Sequence, residues 1–195
     1  MVHIWCYMVQ NRDKVLFEII LALERGPIHV RALSKKILRP HSTVIRALSE
    51  LENENAVDYK VLGRNKEYFL RDNVYARTLF IMAEQYKLSK LMLKYRKIGP
   101  VVEDILAECK SEMVVIFGSY AKFSANNDSD IDIYIETKET RIKKAVERIN
   151  SALSVKIGEF DSKSLLIREI IKSHVLIRGV DEFYEKTRAA LKDEI

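Results

Sequence analysis

Residues 113–136, MVVIFGSYAKFSANNDSDIDIYIE, leave few folds open to the chain. Residues 113–117 are a continuous apolar run rich in Val and Ile, the pattern of a strand buried on both faces. Gly118-Ser119 ends the run, and glycine there lets the backbone turn sharply or lets a ligand come close. Residues 124–129 are a cluster of loop formers. Ile131, Ile133 and Ile135 then alternate with Asp130, Asp132 and Tyr134, the period of a strand with one face in the core. Two neighbouring strands joined by a polar loop follow, with Asp130 and Asp132 side by side on the face away from the core.

Two adjacent carboxylates on an exposed face repel each other unless something positive lies between them. Mg²⁺ takes sites of this kind, built from a few carboxylates plus substrate phosphates. Gly118-Ser119 would offer backbone N–H groups and a hydroxyl to those phosphates. Taken singly, a Gly-Ser turn closes a loop and an Asp pair is solvated strand surface. Together, with ten residues between Ser119 and Asp130, they resemble the signature of the DNA polymerase β superfamily, in particular its minimal nucleotidyltransferases. That signature is Gly-Ser, ten residues, then Asp-x-Asp, here Gly118-Ser119 and Asp130-Ile131-Asp132.

The resemblance implies a nucleotidyltransferase fold, a mixed sheet packed on helices. It implies Mg²⁺ or Mn²⁺ held by Asp130 and Asp132, and a nucleoside triphosphate bound through Gly118, Ser119 and Lys122. Family members often carry Arg-Gly where this chain has Lys122-Phe123; the lysine keeps a cation for a phosphate, while Phe123 in place of Gly is a departure. The resemblance also implies a third catalytic carboxylate on a later strand, here residues 154–160. With Val155 and Ile157 facing the core, Lys156 and Gly158 share the face of the Asp pair. A lysine then stands where an acid is wanted. A bulge at Gly158 would shift the register and make Glu159, or less readily Asp161, the third acid.

The 195 residues suffice for one large domain or two small ones, and 48% apolar residues argue for a packed chain. Residues 1–97 hold 18 Lys/Arg against 10 Asp/Glu, a net +8, whereas residues 98–195 hold 15 against 18, a net −3. That asymmetry suggests two domains with different partners, nucleic acid for the first. No stretch reaches the length of a membrane span. The apolar start, residues 2–9, lacks a basic leader and is expected to pack as a terminal segment. Cys6 and Cys109 stand apart without metal-ligand spacing, so a reducing cytoplasmic setting is expected.

Residues 12–25 place Val15, Leu16, Ile19, Ile20 and Leu23 on one helical face, and Gly26-Pro27 stops the helix. A short helix over 30–38 follows. Ser42 is the expected N-cap of a third helix, with Val44, Ile45, Leu48 and Leu51 inward. A hairpin spans 56–70, with 63–66 at its tip. Three short helices and a basic hairpin resemble a winged helix-turn-helix over roughly residues 10–72. The resemblance implies DNA binding by Ser42, Thr43 and Arg46 in the major groove, with His41 beside them, and by Arg64 and Lys66 on the wing. Lys35, Lys36 and Arg39 would add phosphate attraction. A helix-turn-helix used only for protein contacts is the alternative.

Residues 73–97 read as a long helix carrying Leu79, Met82, Tyr86 and Leu93, packed as core or as the seam of a homodimer. Helices over 101–109 and 140–153, then a tail over 164–184 that reads as a helix, a last short strand at 174–178 with His174 at its surface, and a closing helix, complete the reading. The expected architecture is α+β: a winged helix-turn-helix over 1–75, a connecting helix over 76–97 and a nucleotidyltransferase domain over 98–195. The expected function is metal-dependent transfer of a nucleoside monophosphate to a hydroxyl acceptor, coupled to DNA binding. The alternative is a DNA-binding regulator whose nucleotidyltransferase domain only senses nucleotide.

Overall fold

The computed structural model describes residues 11–63, 65–110 and 112–193. The apolar start with Cys6, and Arg64 at the hairpin tip, lie outside them. The chain divides into two units, residues 1–86 and 87–195.

In the first unit, α1 (Asn11–Leu23) leads through β1 (Ile28–His29) into α2 (Val30–Ile37), α3 (His41–Asn53) and a hairpin of β2 (Val57–Leu62) and β3 (Asn65–Leu70). The sheet order is β1-β3-β2, antiparallel throughout. Val15, Ile19, Ile20 and Leu23 of α1 are buried with Leu33 of α2 and Val44, Leu48 and Leu51 of α3. Ile45, expected inside, is 48% exposed. It stands about 100° round the helix from Val44, off the stripe that Val44, Ala47, Leu48 and Leu51 form. Ser42 is not the cap of α3. Pro40 holds the N-cap position, and its carbonyl accepts the first helical bond from Val44 N at 3.1 Å. Lys66 lies within β3 opposite Val61 rather than in the turn.

The helix α4 (Val74–Lys94) starts on an Asn73 cap, whose Oδ1 accepts from Ala76 N at 2.8 Å. The boundary between the units falls within it. Met82 and Leu93, expected as core or as a homodimer seam, are 46% and 44% exposed, while Phe80, Ala83, Leu88 and Leu91 are buried.

The second unit continues with α5 (Ile98–Glu108), β4 (Val114–Phe117), the single-turn α6 (Gly118–Ala121), β5 (Ile131–Glu136), α7 (Thr140–Glu147), β6 (Leu153–Gly158), α8 (Leu165–Lys172), β7 (Val175–Arg178) and α9 (Val180–Asp193). Gly99-Pro100, expected to precede α5, sits in its first turn, where a proline removes no helical bond. The expected helix over 140–153 is shorter, because Asn150 closes a turn on Ala152 N at 2.9 Å and frees the chain for β6.

The sheet order is β6-β5-β4-β7; β4 is antiparallel to β5 and β7, and β5 is parallel to β6. This mixed sheet carries a core on one face, where Ile131, Ile133, Ile135, Val114, Ile116, Leu153 and Val155 pack with Val101, Ile105, Ile142 and Val146 of α5 and α7. The opposite face is not open along its whole length. Tyr134, expected beside the Asp pair on an exposed face, is buried, with its hydroxyl donating to Gly158 O at 2.9 Å. Further along, Glu136 is paired with Lys186 of α9. That face is therefore filled at one end, and Asp130 and Asp132 hold the other. His174, expected at the surface, is buried; its Nδ1 lies 3.0 Å from Ile170 O and its ring 4.3 Å from that of Phe183.

Candidate active site

Phe117 is the last residue of β4 and pairs in register with Asp132 of β5. The turn that follows needs Gly118, whose φ is +67°. A Cβ built there would lie 2.2 Å from Asp132 Oδ2. The missing side chain thus does two things: it permits the left-handed turn, and it lets the carboxylate lie against the backbone of the Gly-Ser segment. Ser119 follows in the first turn of α6, half-buried, and its carbonyl accepts from Ser124 N at 3.0 Å, which folds the loop back on the turn.

Phe123 adopts φ +56°, left-handed although it is not glycine. A backbone conformation that glycine adopts freely is held here by a phenylalanine, at a strain of about 1–2 kcal/mol. Its ring packs partly buried against the core, and Lys94 Nζ donates to its carbonyl. Lys97 Nζ approaches Asn127 O at 3.4 Å. Two lysines near the start of this unit thereby hold the loop that runs from Gly-Ser to the Asp pair. Within the loop, Asn126 Oδ1 accepts from Asp128 N at 3.0 Å and from the Ser129 hydroxyl at 2.9 Å.

Asp130 is exposed just ahead of β5, and Asp132 is half-buried within it. Burial raises Asp132 above the ordinary carboxylate range, with Asp130 and Glu169 pushing the same way. The Ser154 hydroxyl, hydrogen-bonded to this carboxylate, and the Lys156 ammonium pull it back. A carboxylate held high by burial and like charge gains most from a divalent cation, so the donor set fits Mg²⁺ or Mn²⁺.

The structure does not bring Glu159 to the pair. In the parallel register Asp132 stands beside Ser154, Tyr134 beside Lys156 and Glu136 beside Gly158. No bulge interrupts this register, and Glu159 follows Gly158 at the opposite end of β6, paired with Lys138 at 2.6 Å. Lys122 lies at the C-cap of α6, 3.3 Å from Glu169 of α8. Two residues near Asp132 escaped the sequence reading. Ser154 opens the strand expected over 154–160 and has the parity of Lys156, but alternation alone does not say which of the two meets Asp132. Glu169 sits on a helix, where no alternation points to a strand site.

Residues 102–183 match the family model described as Polymerase beta, Nucleotidyltransferase. This stretch is a polymerase β-type nucleotidyltransferase domain. No curated protein and no solved structure matches the chain. The nucleotidyltransferase match begins within α5 and ends in α9, so it takes in the whole mixed sheet and both Asp130 and Asp132. Among the described residues no helix is long and apolar enough to cross a membrane.

In the first unit, Ser42 and Arg46 are exposed on α3 and Thr43 is half-buried. Ile45, Ser49, Glu50 and Glu54 continue the same shallow groove, so the positive charge is confined to the early turns of α3. Lys66 Nζ lies 3.5 Å from the centroid of Tyr59 on the hairpin. Two cations expected to attract phosphate have other work. Arg39 makes two bonds to Glu18, at 2.9 and 3.2 Å, and Lys36 donates to Ala22 O at 2.9 Å near the end of α1.

Proposed function

We propose that the second unit transfers a nucleoside monophosphate from a nucleoside triphosphate to a hydroxyl acceptor, and that the first unit binds DNA as a winged helix-turn-helix. The observation that carries the enzymatic reading is the contact between Gly118 and Asp132, which joins the Gly-Ser turn to the Asp pair in one site. Asp130 and Asp132 would hold Mg²⁺ or Mn²⁺, which would offset the charge of the phosphates during in-line displacement of pyrophosphate. The Gly118-Ser119 backbone and the Ser119 hydroxyl would meet those phosphates. Lys122 would offer its remaining ammonium hydrogens to them while keeping Glu169 as its partner.

DNA binding is supported by the order of helices and hairpin, by Arg46 and Lys66 exposed on α3 and β3, and by the basic charge of residues 1–97. The hydroxyl of Ser154 beside Asp132, with the cation Lys156 one pleat further along β6, favours a second reading, in which the domain binds nucleotide and regulates DNA binding without turnover. Label transfer from each α-labelled nucleoside triphosphate, with Mg²⁺ or Mn²⁺, into a cell lysate separates the two. A product formed by wild type and not by Asp130→Asn establishes the enzyme. No label with any nucleotide, alongside salt-sensitive DNA binding, establishes the regulator.

A further inference from the structure

The number of cations the site can take follows from the residue beside Asp132, on the reading that the Asp pair holds a cation and a nucleotide. We propose that Ser154 occupies the third-ligand place with a neutral hydroxyl, and that the site binds one divalent cation, the one that accompanies the nucleotide, rather than two.

The register carries this. β5 and β6 run parallel with Asp132 opposite Ser154 and Tyr134 opposite Lys156. Residues paired in register point to the same face, so the side chain adjoining Asp132 from β6 is that of Ser154. Lys156 stands one pleat further along, about 7 Å away by strand rise, beside the buried Tyr134. A carboxylate supplied by β6 to the Asp pair would therefore have to come from position 154, and the chain places a hydroxyl there.

Charge points the same way. Two divalent ions about 4 Å apart concentrate four positive charges and need anionic ligands to hold them together. The site offers Asp130 and Asp132. Glu169 is already engaged by Lys122 at 3.3 Å, and Glu159 is at the far end of β6 with Lys138. Lys156 adds a positive charge on the same strand face. Two carboxylates completed by phosphate oxygens suit a single Mg²⁺, which keeps several waters and uses few protein ligands. Such a site takes a metal-nucleotide, and β6 offers it no carboxylate for the acceptor's proton.

The test counts Mn²⁺ bound to the full chain by equilibrium dialysis with electron paramagnetic resonance, with α,β-methylene nucleotide analogues saturating and the bound analogue counted in parallel. Wild type is expected to hold one Mn²⁺ per bound analogue. Ser154→Asp is expected to hold two, and Lys156→Asp to remain at one. Thermal melts establish that each variant is folded, and the wild-type count decides alone if Ser154→Asp is not. Two Mn²⁺ in wild type, or a second ion gained by Lys156→Asp and not by Ser154→Asp, overturns the proposal while leaving the nucleotide site intact. No Mn²⁺ in wild type, matching Asp132→Asn, overturns the proposal together with the reading of the site.

Discussion

Gly118→Ala separates the two roles of the missing side chain at the Gly-Ser turn. The backbone at φ +67° puts an alanine in the left-handed region, a strain of about 1–2 kcal/mol. For a chain of this size that lowers the melting temperature by about 2–8 °C. The new Cβ also meets Asp132 Oδ2 at 2.2 Å, more than 1 Å inside a normal contact. The carboxylate is the free end of a side chain, so it swings away at little further cost in stability. It then leaves the site, and displacement by about 1 Å is enough to lose roughly 100-fold in a step that depends on its position. Gly63→Ala is the matched control: its φ is +62° and a Cβ there meets nothing within 4 Å. Differential scanning fluorimetry and Mn²⁺-nucleotide binding, measured on both variants, should show similar losses of melting temperature. Only Gly118→Ala should lose binding. Binding by Gly118→Ala within threefold of wild type would refute the claim that this contact builds the site.

Burial lets folded Asp132 keep its proton to higher pH than the unfolded chain does, so stability is lost as pH rises from the ordinary value of 3.8 through the raised one. Asp132→Asn should therefore melt no lower than wild type at pH 7 while binding no Mn²⁺; a clear fall in melting temperature would contradict this. For the same reason, Mn²⁺ binding by wild type should weaken at a less acid pH than an ordinary carboxylate would give, and Ser154→Ala should move that midpoint upward by removing a donor to the ionised form. At Phe123, with φ +56°, Phe123→Gly should be more stable than Phe123→Ala by about 1 kcal/mol in denaturant titrations, the reverse of the order within a helix. Cys109 is buried and its thiol pKa is pushed up to about 11, mainly by burial, so a thiol reagent at pH 8 should label it only as the chain unfolds.

The site was legible where its residues lie close in sequence and obey a strand period. Gly118, Ser119, Asp130 and Asp132 sit at two facing strand ends, and alternation alone puts the carboxylates on one face. What alternation cannot give is the pairing between strands. Lys156 was seen on the right face of β6, but only the parallel register shows that Ser154, not Lys156, meets Asp132. Tyr134 has the parity of an exposed residue and is buried, because α8 and α9 come from beyond the local pattern to cover that face. Glu169 was invisible for the same reason. In the first unit, helix periodicity placed most of the core and misplaced Ile45, which differs from its buried neighbours only by its angle round the helix. Lys36 and Arg39 looked like free cations until the structure supplied Ala22 O and Glu18.

The parallel pairing of β5 and β6 also orders the assembly of the site in time. Gly118 follows directly on β4, and Asp132 lies in its antiparallel neighbour β5 across a short loop whose closure is entropically cheap. Ser154 reaches Asp132 only after the chain has passed through α7 and returned as a parallel strand, and non-local pairing of this kind forms slowly. The half of the site made by the Gly-Ser turn and the Asp pair can thus exist before its hydroxyl partner arrives. A nascent chain would hold its two carboxylates together, uncompensated, until β6 docks.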